Sequence, residues 1–154
     1  MANSSALNNE IRIILMDCGL FNQLLPEDCA AAAGFFSLVK MDQDEVIFRE
    51  GDAGNFMCII QYGNVSVRRL DLEGNEVEVA LLRKGRSFGE MAVIDGERRS
   101  ATCIASTEVQ LVSLGKDSLD KMMVDAPRIA AKVIRALAVA LSRRLRMADG
   151  QKLS

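Results

Sequence analysis

Glu90 and Arg99 are the two side chains whose type and spacing could do chemistry. They stand in one stretch, Phe88-Gly89-Glu90-Met91-Ala92-Val93-Ile94-Asp95-Gly96-Glu97-Arg98-Arg99-Ser100-Ala101-Thr102. Gly89 lets the backbone approach another group closely. Glu90 to Ile94 is long enough for one helical turn, whose first N–H groups lack an intrahelical partner and suit an anion. Gly96 returns the chain. Arg99 then offers a planar fork of donors that matches two phosphate oxygens. Ser100 adds a hydroxyl, and Glu90 can accept a hydrogen bond from a sugar hydroxyl. A helix start, an arginine and a nearby carboxylate together suit a sugar phosphate with one negative charge. Taken singly, each has a blander reading: Glu90 and Arg99 as an exposed ion pair worth about 0–1 kcal/mol, and Gly89 and Gly96 as plain turn residues. The ordered set favours binding. Arg98 is read as a solvent-facing neighbour.

Other chemistry is narrowed by what the sequence lacks. There is no histidine, so Ser–His–Asp catalysis and histidine-built metal sites are excluded, and no enzymatic activity or cofactor is expected. The four cysteines, Cys18, Cys29, Cys58 and Cys103, are widely spaced without a CxxC pair. They read as reduced, buried thiols of a cytoplasmic protein rather than metal ligands. A net charge of −2 argues against broad attraction to nucleic acid. The basic cluster Arg143, Arg144 and Arg146 is read as the solvated end of a helix, where cations also suit the dipole, rather than a nucleic-acid or lipid contact. No apolar run approaches the ~18 residues of a membrane helix. Met1 to Asn9 lacks the pattern of a signal peptide.

These residues must be positioned by a frame that changes texture twice. Residues 1–9 are polar and expected to be flexible, followed by a short helix over Glu10 to Met16. Pro26-Glu27-Asp28 starts another short helix that Gly34 can stop. From Phe35 to Leu114 the segments are short, β-branched and punctuated by glycine. They include Val46 to Phe48, the apolar run Phe56 to Gln61, and two alternating strands through Val65/Val67 and Val77/Val79/Leu81. Two more lie within Ala101 to Leu114, broken near Ser106-Thr107. Period-two alternation predicts strands with one buried face, and this spacing predicts a jelly-roll-like β-barrel. After Gly115 the period becomes helical: a short helix ending before Pro127, then a long one from Pro127 to about Met147. The long helix carries a stripe of Val133, Ile134, Leu137, Ala138, Leu141 and Leu145. The expectation is a single α+β, mainly β domain over 1–154, with a barrel over 35–114 and C-terminal helices over 116–147.

The stretch 88–102 resembles the phosphate-binding cassette of the cyclic-nucleotide-binding domain family, which reads approximately Phe-Gly-Glu-Leu-Ala-Leu, a variable segment, then Arg-Ala/Ser/Thr-Ala-Thr. Met91 and Val93 replace leucines conservatively. The resemblance extends to Val46-Ile47-Phe48-Arg49-Glu50-Gly51-Asp52, to Met57 through Val67 with Gly63, and to the terminal helices, over residues 20–147. It implies that Glu90 accepts from the ribose 2′-hydroxyl and Arg99 neutralises the cyclic phosphate. It also implies contacts from Gly89, Met91, Ala92, Ser100 and Ala101. Ser100 favours cyclic AMP, as in catabolite-activator proteins, with cyclic GMP as the alternative. A cyclic dinucleotide would need more arginines converging on two phosphates, and a ligand-free interaction module would have no need for Glu90 and Arg99 in that frame. The resemblance further implies a lid from the C-terminal helices from Leu119 onward, adenine contacts from around Arg135 to Ser142, and a homodimer through 127–147. The chain would be either a lone sensor acting on a separate effector protein or a piece of a longer protein. No DNA-binding domain is expected, because catabolite-activator relatives continue into a helix-turn-helix and this sequence ends at Ser154.

Overall fold

The computed structural model describes residues 2–153, and their side chains over 5–150. Eight antiparallel strands form two four-stranded sheets. One has the order β1 (Ser37–Met41), β8 (Val109–Gly115), β3 (Phe56–Tyr62), β6 (Ser87–Phe88). The other has the order β2 (Val46–Phe48), β7 (Thr102–Ala105), β4 (Val65–Leu70), β5 (Glu76–Leu82). The two sheets face each other as the jelly roll that the strand spacing predicts, left open rather than closed into a barrel.

The apolar run of β3 has a direct cause. Cys58 and Ile60 point between the sheets, against Phe48, Val65, Phe88 and Cys103. Met57 and Ile59 point the other way, into a core shared with the helices. Strand β8 does the same, with Leu111 on one side and Val112 and Leu114 on the other. This sheet is buried on both faces, so its central strands show a continuous run rather than alternation.

Helices cover that sheet. They are α1 (Ala2–Asp17), α2 (Pro26–Ala33), α4 (Lys116–Asp125) and α5 (Pro127–Leu153), with a 3-10 turn at Gly19–Phe21 between the first two. A fifth, α3 (Glu90–Asp95), lies in the cassette. The segment 1–9, expected to be flexible, is helical from Ala2 onward as the first half of α1, with exposed side chains from Ser5 through Glu10 and packing from Ile11. The polar composition of 5–10 suits the solvated part of this helix. Buried Asp28 fastens α2 to α5. It accepts from Lys132 at 2.7 Å and lies 3.7 Å from Arg128, while also accepting from the Leu25 backbone at 3.1 Å. These partners hold the Asp28 carboxyl below the usual range, the Lys132 hydrogen bond being the main cause.

The predicted α5 stripe divides. Val133 and Leu137 are buried and Ile134 and Leu141 half-buried, but Ala138 and Leu145 are exposed. Helix α5 runs past the expected Met147, and residues 142–150 all lie at the surface. Strand β5 also departs from its pattern. Val77, Val79 and Leu81 are exposed, because β5 is the edge of its sheet and nothing in the described chain covers it.

Candidate functional site

The cassette lies between β6 and β7 and opens on a cavity of about 320 Å³. All seven residues singled out in the sequence, Gly89, Glu90, Met91, Ala92, Arg99, Ser100 and Ala101, line it. Gly89 caps α3 with φ +80°, and Gly96 closes it with φ +71°. A Cβ at Gly89 would sit 2.7 Å from Arg99 Nη1 and 3.1 Å from the Phe56 carbonyl oxygen, so both backbone sign and space require glycine there.

Arg99 is 6% exposed. Its Nη2 donates to the Phe56 carbonyl at 2.6 Å, and its Nη1 makes a long contact of 3.5 Å with the Gly89 carbonyl. Its Nε is buried with no hydrogen-bond partner. The guanidinium carbon stands 3.8 Å from the Phe48 ring centre and 4.7 Å from that of Phe56, so two π-faces hold the charge. Among the described residues no carboxylate forms an ion pair with it. Burial pushes its pKa below the ordinary arginine value, yet the group stays cationic at neutral pH. The surroundings are dry: burial raises the Cys58 and Cys103 thiols to about 12, with Arg99 a smaller opposing influence. All four cysteines are free and buried.

The turn 49–54 sets the position of Arg99. Gly51 N donates to Arg99 O and Arg99 N to Asp52 O, both at 2.8 Å, while Gly54 N donates to Glu97 O at 3.1 Å. Thr102 Oγ1 accepts from Glu50 N at 2.9 Å. Gly54 is the tightest point. A Cβ there would meet Ala92 Cβ at 2.3 Å and Glu97 O at 2.7 Å. Arg98 is exposed as expected, and its Nη1 donates to the Gly51 carbonyl at 2.9 Å.

Glu90 is 1% exposed and fully engaged. Ser87 Oγ donates to its Oε1. Arg144 of α5 donates to Oε2 through Nη1 at 2.9 Å and to Oε1 through Nη2 at 2.8 Å, a bidentate pair, and also to the Ser87 carbonyl at 3.2 Å. Glu90 and Arg99 are therefore not partners of each other. The expectation that Arg144 belongs to a merely solvated helix end is corrected. Fifty-four positions separate it from Glu90, and only the return of α5 over the cassette joins them. Sequence reasoning also missed Gly54, although its glycine-rich turn was visible, and the rings of Phe48 and Phe56. The stretch Arg135 to Ser142 does not line this cavity. Arg135, Ala136, Val139 and Ala140 line a neighbouring one instead.

Among the described residues no group of three or more histidine, cysteine or acidic side chains could hold a metal ion. None of their helices is long and apolar enough to cross a membrane.

Comparison with known proteins agrees with this geometry. The chain is 35% identical over 130 residues to the cyclic AMP receptor protein of Thermus thermophilus, covering 84% of this chain and 58% of that protein. It thus spans little more than half the length of that relative. The structure of a cyclic nucleotide-binding domain from Methylobacillus flagellatus superposes with TM-score 0.81 at 27% identity, over 97% of this chain and 84% of that one. The N-terminal domain of a transcriptional regulator from Streptomyces coelicolor gives TM-score 0.76 at 30% identity, over 92% of this chain and 96% of that one. The family model described as "Cyclic nucleotide-binding domain" matches residues 38–125, a span that takes in the whole cassette, and the chain belongs to that family.

Proposed function

We propose that this regulatory domain binds cyclic AMP, with Arg99 neutralising the cyclic phosphate and Glu90 accepting from the ribose 2′-hydroxyl. The observation that carries the reading is Arg99 itself. It is a buried cation with an unpartnered Nε and no carboxylate, at the wall of a cavity. A buried charge without a counter-charge is costly, and an anion in the cavity would relieve that cost. Ser100 and the name of the Thermus thermophilus relative favour cyclic AMP over cyclic GMP.

Nucleotide binding changes the partners of Glu90, and through Arg144 it changes the docking of the helices from Leu119 onward. A ligand shifts such an equilibrium only by its differential affinity for the two arrangements. Exposed Leu145 and Met147 give α5 an apolar surface for a homodimer through 127–147, and an effector would read the helices.

One observation favours a second reading. Five arginines line the cavity, Arg69, Arg86, Arg98, Arg99 and Arg144, more than one cyclic phosphate requires. A cyclic dinucleotide would use two of them. Calorimetric titration with cyclic AMP, cyclic GMP, a cyclic dinucleotide and linear AMP separates the readings. Saturable binding that is tightest for cyclic AMP and absent for linear AMP is expected. Tighter binding of the dinucleotide would replace the cyclic AMP assignment.

A further inference from the structure

A second cavity, of about 950 Å³, lies where α5 passes the Gly19–Phe21 turn and the Gly85–Ser87 loop. Five cations line it: Arg86, Lys132, Arg135, Arg143 and Arg144. No carboxylate belongs to its lining. Lys132 is spoken for by Asp28 and Arg144 by Glu90. Arg86, Arg135 and Arg143 make no side-chain hydrogen bond or ion pair among the described residues. Three unpaired guanidinium groups thus face one groove in a protein whose net charge is −2. The rest of the wall is mixed, with Leu20, Leu24, Ala136, Val139 and Ala140 beside Asn22, Gln23 and Ser87.

We propose that this groove is a second anion site, adjoining the cassette cavity with which it shares Arg86, Ser87 and Arg144, that takes an organic polyphosphate of the nucleoside di- or triphosphate class. Guanidinium forks match phosphate oxygens in pairs. Three free positive charges complement the three to four negative charges of a triphosphate chain, whereas a singly charged phosphate diester would leave most of them unanswered. Arg135 and Arg143 are eight residues apart on one helix, about 12 Å along its axis at 1.5 Å per residue. With Arg86 opposite, they can contact successive phosphoryl groups rather than one. The apolar part of the wall suits an organic body and the polar part its hydroxyl or amide groups, and the volume lies within the roughly 300–1,000 Å³ of small-molecule sites. The cyclic AMP reading of the cassette rests on Glu90 and Arg99, neither of which lines this groove.

The test is calorimetric titration of the whole chain with ATP and with inorganic tripolyphosphate, at about 150 mM salt, where exposed charges more than ~8 Å apart are screened. Both are expected to bind, ATP the more tightly. Arg135→Gln/Arg143→Gln should weaken both by at least about tenfold, as expected for lost charge-assisted contacts. Arg99→Gln should leave both unchanged. The control Arg12→Gln/Lys40→Gln removes the same charge outside the groove and should also leave both unchanged. If the double groove variant does not fold, Arg143→Glu alone, in the exposed half of α5, carries the same expectation. Failure of either ligand to bind overturns the site, as does equal loss in the control or loss in Arg99→Gln. Tripolyphosphate binding as tightly as ATP would overturn the organic assignment.

Discussion

The two ends of the cassette are built on opposite principles. At the Arg99 end the β-sandwich holds a charge and supplies no counter-charge: two phenyl rings, one strong carbonyl contact and a turn braced by three backbone hydrogen bonds. At the Glu90 end the charge is already satisfied, by Ser87 beside it and by Arg144 reaching in from α5. One end is a fixed receptor belonging to the sheets. The other is a junction between the cassette and the last helix. A ligand that touches both meets a site prepared at its phosphate and must share or replace a partner at its sugar.

The largest expected effect breaks the comparison at its fixed end. Arg99→Ala should weaken cyclic AMP binding by at least tenfold, about 1.5–3 kcal/mol for a charge-assisted contact. The melting temperature should not fall, since the variant also removes a buried unpaired charge. Unchanged affinity by calorimetry would take Arg99 out of the site. Next is Gly54→Ala, which tests whether the turn sets Arg99. Its Cβ would overlap Ala92 and the Glu97 carbonyl, and overpacking of this kind costs roughly 1–3 kcal/mol. Denaturant unfolding should show that loss, with nucleotide affinity falling as well. Lost stability with intact affinity would mean that the turn does not position Arg99.

The contrast also explains what could be read from the sequence. The Arg99 end was legible because its parts are local. Gly89, Glu90, Arg99 and Ser100 fall within twelve positions, and the structure gathers all seven chosen residues around one cavity. The strands were legible where alternation or glycine turns marked them, but not β1, whose burial does not alternate, nor β6, which has two residues. The apolar face of β5 misled because an edge strand can leave such a face uncovered. The partner of Glu90 was illegible for another reason. Arg144 sits among arginines on a polar helix end, and no local pattern distinguishes an arginine that folds back from one that faces water.

A smaller effect measures how dry the fixed end is. The Cys58 and Cys103 thiols are raised to about 12, against an ordinary value of 9.0. Above pH 9 the unfolded chain loses these protons while the folded chain keeps them, so stability is full below pH 9 and declines as pH rises towards 12. By pH 10 the loss is of order 1 kcal/mol per thiol. Cys103→Ala should reduce the slope of unfolding free energy against pH in that window. An unchanged slope would mean that the Cys103 thiol ionises as easily when folded. Folded protein should also react with a thiol reagent far more slowly than unfolded protein.

The smallest effect on affinity is expected at the junction, and it is the most informative about coupling. Arg144 is half-exposed while Glu90 is buried, so the pair is partly screened by water and its removal leaves Glu90 with Ser87 alone. Arg144→Ala removes the group that would compete with a ribose hydroxyl for the carboxylate. Cyclic AMP affinity should therefore rise, by no more than about fivefold, or roughly 1 kcal/mol. The last turns of α5 should lose their anchor, with faster amide exchange over 140–150 that no longer responds to nucleotide. In the unaltered chain the same amides should change their exchange when nucleotide binds. If Arg144→Ala instead lowers affinity, Arg144 is part of the binding surface and α5 completes the site. If affinity and exchange both stay as they were, the Glu90 end is as fixed as the Arg99 end, and signalling from the cassette to α5 must take another route, for which the contact of α3 with α4 is the next candidate.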